Sequence, residues 1–373
     1  MKRTQAWIIL TAAVALAGCG SKVSPTQACI DARTTLLQAA DDPDPQIQTK
    51  ALEALAATEG AAAGPVMTQR LRNGSAPVQF AAAMAIGDCR YEPAQPLLLE
   101  LVKAPDCPPK LMVALAYALH QTGDDSYTRE IGRLLYHLDK WVRASAAMVM
   151  GRMGDPSAAG PLRTVQSNDH DPVVQLQIVE AMARLGNERA MVLLEAFTKS
   201  QFLEDRIIAA QGLGYLNNDR AVYVLRQLVN DSKQDPAVRV VAAGSLARLK
   251  RPEGFTLVRM AVANPSRVMW WSRGGKVKVG QQELDNLQTV AILALAVLGD
   301  PGDVQRLHPL LKSPVGAVRV AAAQAILRLL PNYRSPAAMV RPRLAPVGEA
   351  VSEPASRPAS SPTLRSAGAK EAK

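Results

Sequence analysis

Residues 235–246, Asp235-Pro236-Ala237-Val238-Arg239-Val240-Val241-Ala242-Ala243-Gly244-Ser245-Leu246, hold the phrase on which the fold reading turns. An Asp-Pro pair opens it: the Asp oxygen caps orphan amides at a helix N-terminus, and Pro occupies the first turn, where its missing N–H costs nothing. From Val238 onward the residues at steps 0, 4 and 8 are Val238, Ala242 and Leu246, which share one helix face. The same phrase returns along the chain, with its hinge at Ile47, Val78, Leu111, Val142, Val174, Asp205, Val238, Leu287 and Val318. The steps between hinges are 31, 33, 31, 32, 31, 33, 49 and 31. A near-fixed period of about 32 residues is the signature of a solenoid of stacked supersecondary units.

Eight residues after each hinge stand Leu55, Ile86, Leu119, Met150, Met182, Leu213, Leu246, Leu295 and Ile326, all large and apolar. Four after the hinge the residue is Ala51, Ala82, Ala146, Ala209, Ala242, Ala291 or Ala322, with Leu115 and Ile178 in the other two units. A small residue in the middle of the stripe lets neighbouring helices approach closely. Gly60, Gly87, Gly123, Gly154, Gly186 and Gly299 follow the phrase and read as helix stops. Leucine-rich segments such as 96–101, 131–138, 191–197, 222–228 and 304–311 fill the spaces between. Each unit therefore reads as a helical hairpin.

A leucine-rich helix, an Asp-Pro turn and then Val-Arg-x-x-Ala-Ala-x-x-Leu resembles the HEAT repeat, in the short bacterial form called phycobilisome-lyase HEAT-like. Residues 235–246 carry the likeness, as does Gly316-Ala317-Val318-Arg319-Val320-Ala321-Ala322-Ala323. The resemblance implies an all-α, right-handed α-solenoid of about nine HEAT-like hairpins over residues 26–331. In that family the second helix of each pair lines the concave surface, so the alanine-rich helices are expected there. With neighbouring helices about 10 Å apart, nine pairs would make an arc on the order of 90 Å long. No lyase activity follows from the resemblance, because one fold hosts many functions.

The position after the hinge forms a polar column: Gln48, Gln79, Met112, Arg143, Gln175, Arg206, Arg239, Gln288 and Arg319. Arg143, Arg206, Arg239 and Arg319 could grip an acidic partner. The structural alternative, a ladder that satisfies carboxylates and turn carbonyls, is favoured because architecture needs recurrence in every unit and recognition does not.

At the N-terminus Lys2 and Arg3 precede an apolar run, Ala6 to Ala17, that ends in Leu16-Ala17-Gly18-Cys19. This reads as a secretion signal, residues 1–18, and is short of the roughly 20 apolar residues that span a bilayer. It resembles the lipobox of bacterial lipoproteins, which implies cleavage before Cys19, acylation of that residue and a tether over 19–25. Gly20 and Ser21 follow the cysteine, and the absence of Asp there favours the periplasmic face of the outer membrane within that resemblance. Cys29, Cys89 and Cys107 remain; Cys89 and Cys107 flank a helix expected at about 94–104, too far apart to bridge.

The formal charge of +10 falls to +8 without Lys2 and Arg3. Residues 334–373 contribute +4 of this and 265–282 another +4, so the array itself is near neutral and nucleic acid is not an expected partner. The segment 332–373 loses the period, fills with Pro, Ala, Ser and Arg, and reads as a disordered tail.

The 49-residue step adds about 17 residues to the eighth unit. In the insertion 265–283, Gly274-Gly275 lies between β-branched and aromatic residues, which predicts a β-hairpin. Trp270 and Trp271, with Arg273, Lys276 and Lys278, are its candidate partner-binding residues, since Trp and Arg dominate binding hot spots.

The sequence lacks Gly-x-Ser-x-Gly, His-Glu-x-x-His, a phosphate-binding loop and a Rossmann fingerprint, and His120, His137, His170 and His308 fall in different units. No catalytic residue, metal site or cofactor is expected. The functional expectation is a lipid-anchored envelope scaffold that binds a protein or peptide through the solenoid groove and the hairpin at 267–280, and not an enzyme. The competing reading is a binder of an anionic envelope polymer or lipid, and a lyase-like enzyme is less favoured.

Overall fold

The computed structural model describes residues 22–272 and 279–333. The signal segment, Cys19, residues 273–278 with Arg273, Lys276 and Lys278, and the tail from 334 lie outside the described residues. The first unit pairs α1 (Pro25–Ala39) with α2 (Pro45–Glu59). It is followed by α3 (Gly64–Asn73) with α4 (Ala76–Asp88), α5 (Gln95–Val102) with α6 (Pro109–Gln121), and α7 (Thr128–Leu134) with α8 (Lys140–Met153). Next come α9 (Ala159–Asn168) with α10 (Pro172–Arg184), α11 (Ala190–Phe197) with α12 (Leu203–Leu213), and α13 (Asp219–Asn230) with α14 (Pro236–Arg248). The eighth unit holds α15 (Phe255–Ala263), α16 (Pro265–Ser272) and α17 (Gln281–Leu298). The ninth holds α18 (Val304–Leu307), prolonged by a 3-10 turn at His308–Lys312, and α19 (Gly316–Leu329).

The caps do what their chemistry allows. Carboxylate oxygens of Asp44, Asp139, Asp171 and Asp235 accept from the amides of Gln46, Trp141, Val173 and Ala237 at 2.8, 2.8, 2.9 and 2.8 Å. The seven alanines four residues after the hinge are fully buried where inner helices meet. Closest approach needs still less: a Cβ at Gly151 of α8 would stand 2.6 Å from Ala181 Cα of α10. Of the glycines expected as stops, Gly60, Gly123, Gly154 and Gly186 have positive φ, as a reversal requires. Gly87 instead lies inside α4 against the ring of Tyr117, and Gly299 follows α17 in extended backbone.

The array is not an open arc. Its alanine-rich inner helices touch in the order α2, α4, α6, α8, α10, α12, α14, α17, α19 and then α2 again, so the nine units close into a ring. The seam is built from several contacts. α1 packs on α19 as well as on α2 and buries Ala28, Cys29, Ala32 and Leu36. The Val23 amide donates to Gln305 Oε1 at 3.1 Å, and Gln305 Nε2 donates to the Val23 carbonyl at 2.9 Å. His308 Nε2 lies 2.7 Å from Asp31 Oδ2, and Arg319 Nη2 lies 3.6 Å from Asp42 Oδ2. Gly316 leaves room for Ile47, whose Cδ1 would be 2.8 Å from a Cβ there. Curvature accumulated over nine units brings the ends of the expected arc, on the order of 90 Å long, together.

The insertion also departs from expectation. Residues 265–272 form the helix α16, and among the described residues there is no β-strand. Local capping outweighs strand propensity: Asn264 Oδ1 accepts from the Arg267 amide at 2.9 Å, Pro265 pre-sets the first turn, and Val268 and Met269 are buried. Gly274 and Gly275, the proposed turn, lie outside the described residues.

Candidate functional site

All outer helices run in one direction and all inner helices in the other, so the ring has two unlike faces. The front rim carries the outer-to-inner turns, where inner helices begin. The back rim carries the inner-to-outer turns, Val23 at the head of α1 and Leu330 after α19.

The column just after the hinge, where Arg143, Arg206, Arg239 and Arg319 stand, binds the turns of the front rim. Arg143 Nη1 donates to the carbonyls of His137 and Leu138 at 2.8 and 2.9 Å, and its Nε to Asp169 at 2.6 Å. Arg206 reaches the Ser200 carbonyl at 3.2 Å, Arg239 that of Val229 at 3.0 Å, and Arg319 those of Ser313 and Pro314 at 2.9 and 3.1 Å. Gln48, Gln79 and Gln288 do the same for Asp42, Leu71 and Val262, and Gln175 for Gln166 and Asp169. These side chains satisfy carbonyls left over at tight turns.

The chemistry of the lumen lies on different columns, six and ten residues after the hinge. Tyr117 of α6 donates to Asp88 Oδ1 at 2.6 Å, and Arg152 of α8 donates to Asp88 Oδ2 at 2.9 Å. Burial, with Asp88 alongside, pushes the Tyr117 hydroxyl well above the usual phenol range. Arg184 of α10 pairs with Glu180 at 2.9 Å and lies 4.2 Å from the ring centre of Tyr215. Arg248 of α14 lies 5.0 Å from the same ring, so the tyrosine is in contact with two guanidinium groups. Glu53 of α2 is reached by water yet packed about by protein, and desolvation raises its pKa against the pull of Arg152 and Lys50.

Two cavities, of about 420 and about 360 Å³, are lined by inner helices and share Glu53. The first lies among α2, α4, α6 and α8 and the second among α2, α12, α14, α17 and α19, so both belong to the lumen. A third, of about 690 Å³, opens on the front rim, with Asp42, Asp44, Glu204, Asp235 and Glu283 on its lining against Lys50 and Arg319. Acids thus gather at inner-helix N-termini, and Arg152, Arg184, Arg248 and Arg328 gather near C-termini, as the helix dipoles favour. The arginine column was legible as Asp88, Arg152, Arg184, Tyr215, Arg248 and Arg328 at a constant step past the hinge.

The front rim also carries half of the large apolar side chains that meet water. Twelve large apolar residues are exposed among the described residues. Six of them, Tyr136, Leu138, Trp141, Phe202, Trp270 and Trp271, stand on or between outer-to-inner turns. Leu138 is 98 % exposed, an extreme for leucine. Trp270 and Trp271 are on α16, where the Arg267 guanidinium lies 4.5 Å from the Trp271 ring centre. α17 starts six residues before its hinge where other inner helices start two before, and so projects about 6 Å beyond them.

The family description of HEAT repeats matches residues 128–204 and again 191–269. Residues 128–269 of the chain are HEAT repeats. No curated protein matches it. Among solved structures, a chain in the complex of CpcE and CpcF of phycocyanin lyase from Nostoc sp. PCC7120 is 18% identical. That match has a TM-score of 0.36 and covers 60% of this chain and 93% of that one. Human deoxyhypusine hydroxylase in complex with glycerol is 19% identical, with a TM-score of 0.32, over 71% of this chain and 99% of that one. An engineered protein is 19% identical, with a TM-score of 0.30, over 82% and 90%.

Proposed function

We propose that this HEAT-repeat ring is a lipid-anchored scaffold of the cell envelope that binds a protein or peptide partner on its front rim, in a binding rather than a catalytic role. The observation that carries the reading is that Tyr136, Leu138, Trp141, Phe202, Trp270 and Trp271, in the fourth, sixth and eighth units, are all exposed on the same rim, and aromatic side chains are prominent among the residues that anchor partners. The acidic mouth, lined by Leu203 next to Phe202 and by Met269 next to Trp270, suits a partner with basic as well as apolar side chains. This replaces the expected groove, because a closed ring has no open concave face.

Anchorage at Cys19 is consistent with the geometry. Val23, four residues on, is held by Gln305 at the back rim, so an acyl chain on Cys19 would hold the back rim toward the membrane and leave the front rim facing away. Localisation on the periplasmic face of the outer membrane belongs to the same proposal.

The test is photocrosslinking in the native cells from positions 141 and 271, with 223 on an outer helix as control, and mass spectrometry of the adducts. A shared protein adduct from 141 and 271 that is missing from 223 is expected. Adducts confined to glycan or lipid would replace the reading with the anionic-polymer one, and equal labelling from all three positions would remove the rim from the argument. A Cys19→Ala variant, followed by membrane fractionation, tests the anchor separately.

A further inference from the structure

Two apolar side chains, Leu293 and Val297 of α17, face water inside the ring, 37 % and 41 % exposed. They lie on the cavity of about 360 Å³ among α2, α12, α14, α17 and α19. That volume is in the range of small-molecule sites, about 300–1,000 Å³. Val241, Val290 and Val320 continue the apolar wall to either side. The charged groups on the lining are Lys50, Glu53, Arg248 and Arg328, three cations against one carboxylate. Arg248, Val297 and Arg328 occupy the same repeat position on three successive inner helices, ten residues after the hinge, so two guanidinium groups flank an apolar seat.

We propose that this half of the lumen binds a single-tailed amphipathic anion, its carboxylate, phosphate or sulfate head between Arg248 and Arg328 and its apolar body along α17. Arg248 is already oriented: its Nη2 donates to Ser245 Oγ at 2.9 Å and its guanidinium stacks on Tyr215. A planar guanidinium held in place binds a carboxylate or phosphate with two parallel hydrogen bonds. The arginines also offset the negative ends of the inner-helix dipoles, but that role alone calls for no apolar wall beside them. The other lumen cavity sets Lys110 and Arg152 against Glu53 and Asp88 and so has no excess charge to attract an anion. The inference does not depend on the front-rim partner.

The purified full chain is titrated calorimetrically with dodecyl phosphate and with dodecyltrimethylammonium, both below their micelle concentrations. Saturable binding of one dodecyl phosphate per ring is expected, with the cationic amphiphile weaker by about tenfold or more, the worth of a charged hydrogen bond. The double variant Arg248→Gln, Arg328→Gln is expected to bind dodecyl phosphate at least about tenfold less tightly. Because Arg248 also stacks on Tyr215, Val297→Glu is measured in parallel; it places a like charge on an exposed lumen position and is expected to abolish binding with an unchanged thermal melt. Equal affinity for the two amphiphiles, no saturable binding to the parent protein, or undiminished binding in Val297→Glu would each overturn the proposal.

Discussion

Glu53 is the residue at which the two halves of the lumen meet, and its chemistry follows from place more than from sequence neighbours. Desolvation raises its carboxyl pKa from the ordinary 4.5, Asp88 adds to the rise, and Arg152 and Lys50 oppose it. The folded chain therefore keeps this proton at a pH where the unfolded chain has lost it. Stability contributed by the protonated form is complete below pH 4.5 and falls as pH rises through the raised value. Glu53→Gln is expected to flatten that part of the melting-temperature profile and to melt higher than the parent at pH 7. A profile identical to the parent's would mean that Arg152 and Lys50 neutralise the charge fully. Asp169 runs the other way: burial pushes its carboxyl up, but hydrogen bonds from Arg143 and the Asp171 amide leave it below the usual value, so its contribution is lost only as acid protonates it. The hinge-side arginines could be read from recurrence, because a turn carbonyl recurs wherever the turn does. The lumen arginines could not be given partners that way, since Asp88 meets Arg152 across 64 residues.

Among the elements, α16 separates what local sequence says from what it leaves open. Trp270 and Trp271 favour a strand by composition, and the glycine pair after them favours a hairpin. Asn264 and Pro265 settle the matter for 265–272, because a capped start with a pre-set first turn needs no partner strand. Asn264→Ala removes the cap and is expected to cost α16 about 1 kcal/mol. Hydrogen exchange would then quicken at Arg267 and Val268, whose amides bond Asn264, while the inner helices keep their protection. Uniform loss across the ring would show instead that α16 is part of one cooperative unit with α14 and α17. The nine inner helices, by contrast, were legible from the 0, 4, 8 stripe, a local signal that every unit repeats, and Asp-Pro pairs marked the starts of α2, α10 and α14; the start of α17 at Gln281 was not legible, because it lies in the segment read as insertion.

At the scale of the whole molecule the decisive feature is closure. Gly316 at the start of α19 admits Ile47 of α2 at the seam, and Gly316→Leu is expected to force the two helices apart. Small-angle scattering would report a radius of gyration rising from the roughly 20 Å of a compact chain this long, together with a lower melting temperature. An unchanged radius would mean that α1, bridging α2 and α19, holds the ring shut by itself. The sequence by itself determined the unit: its helices, caps, period, buried face and number, because each rests on contacts within about 40 residues that every repeat makes alike. Only the tertiary structure decided that the units meet end to end, that a lumen therefore exists, and which side chains share it. Closing nine units takes about 40° of turn from each, and that angle comes from the packing of alanine, glycine and larger side chains between neighbouring helices, where differences of a few degrees separate a ring from an open coil.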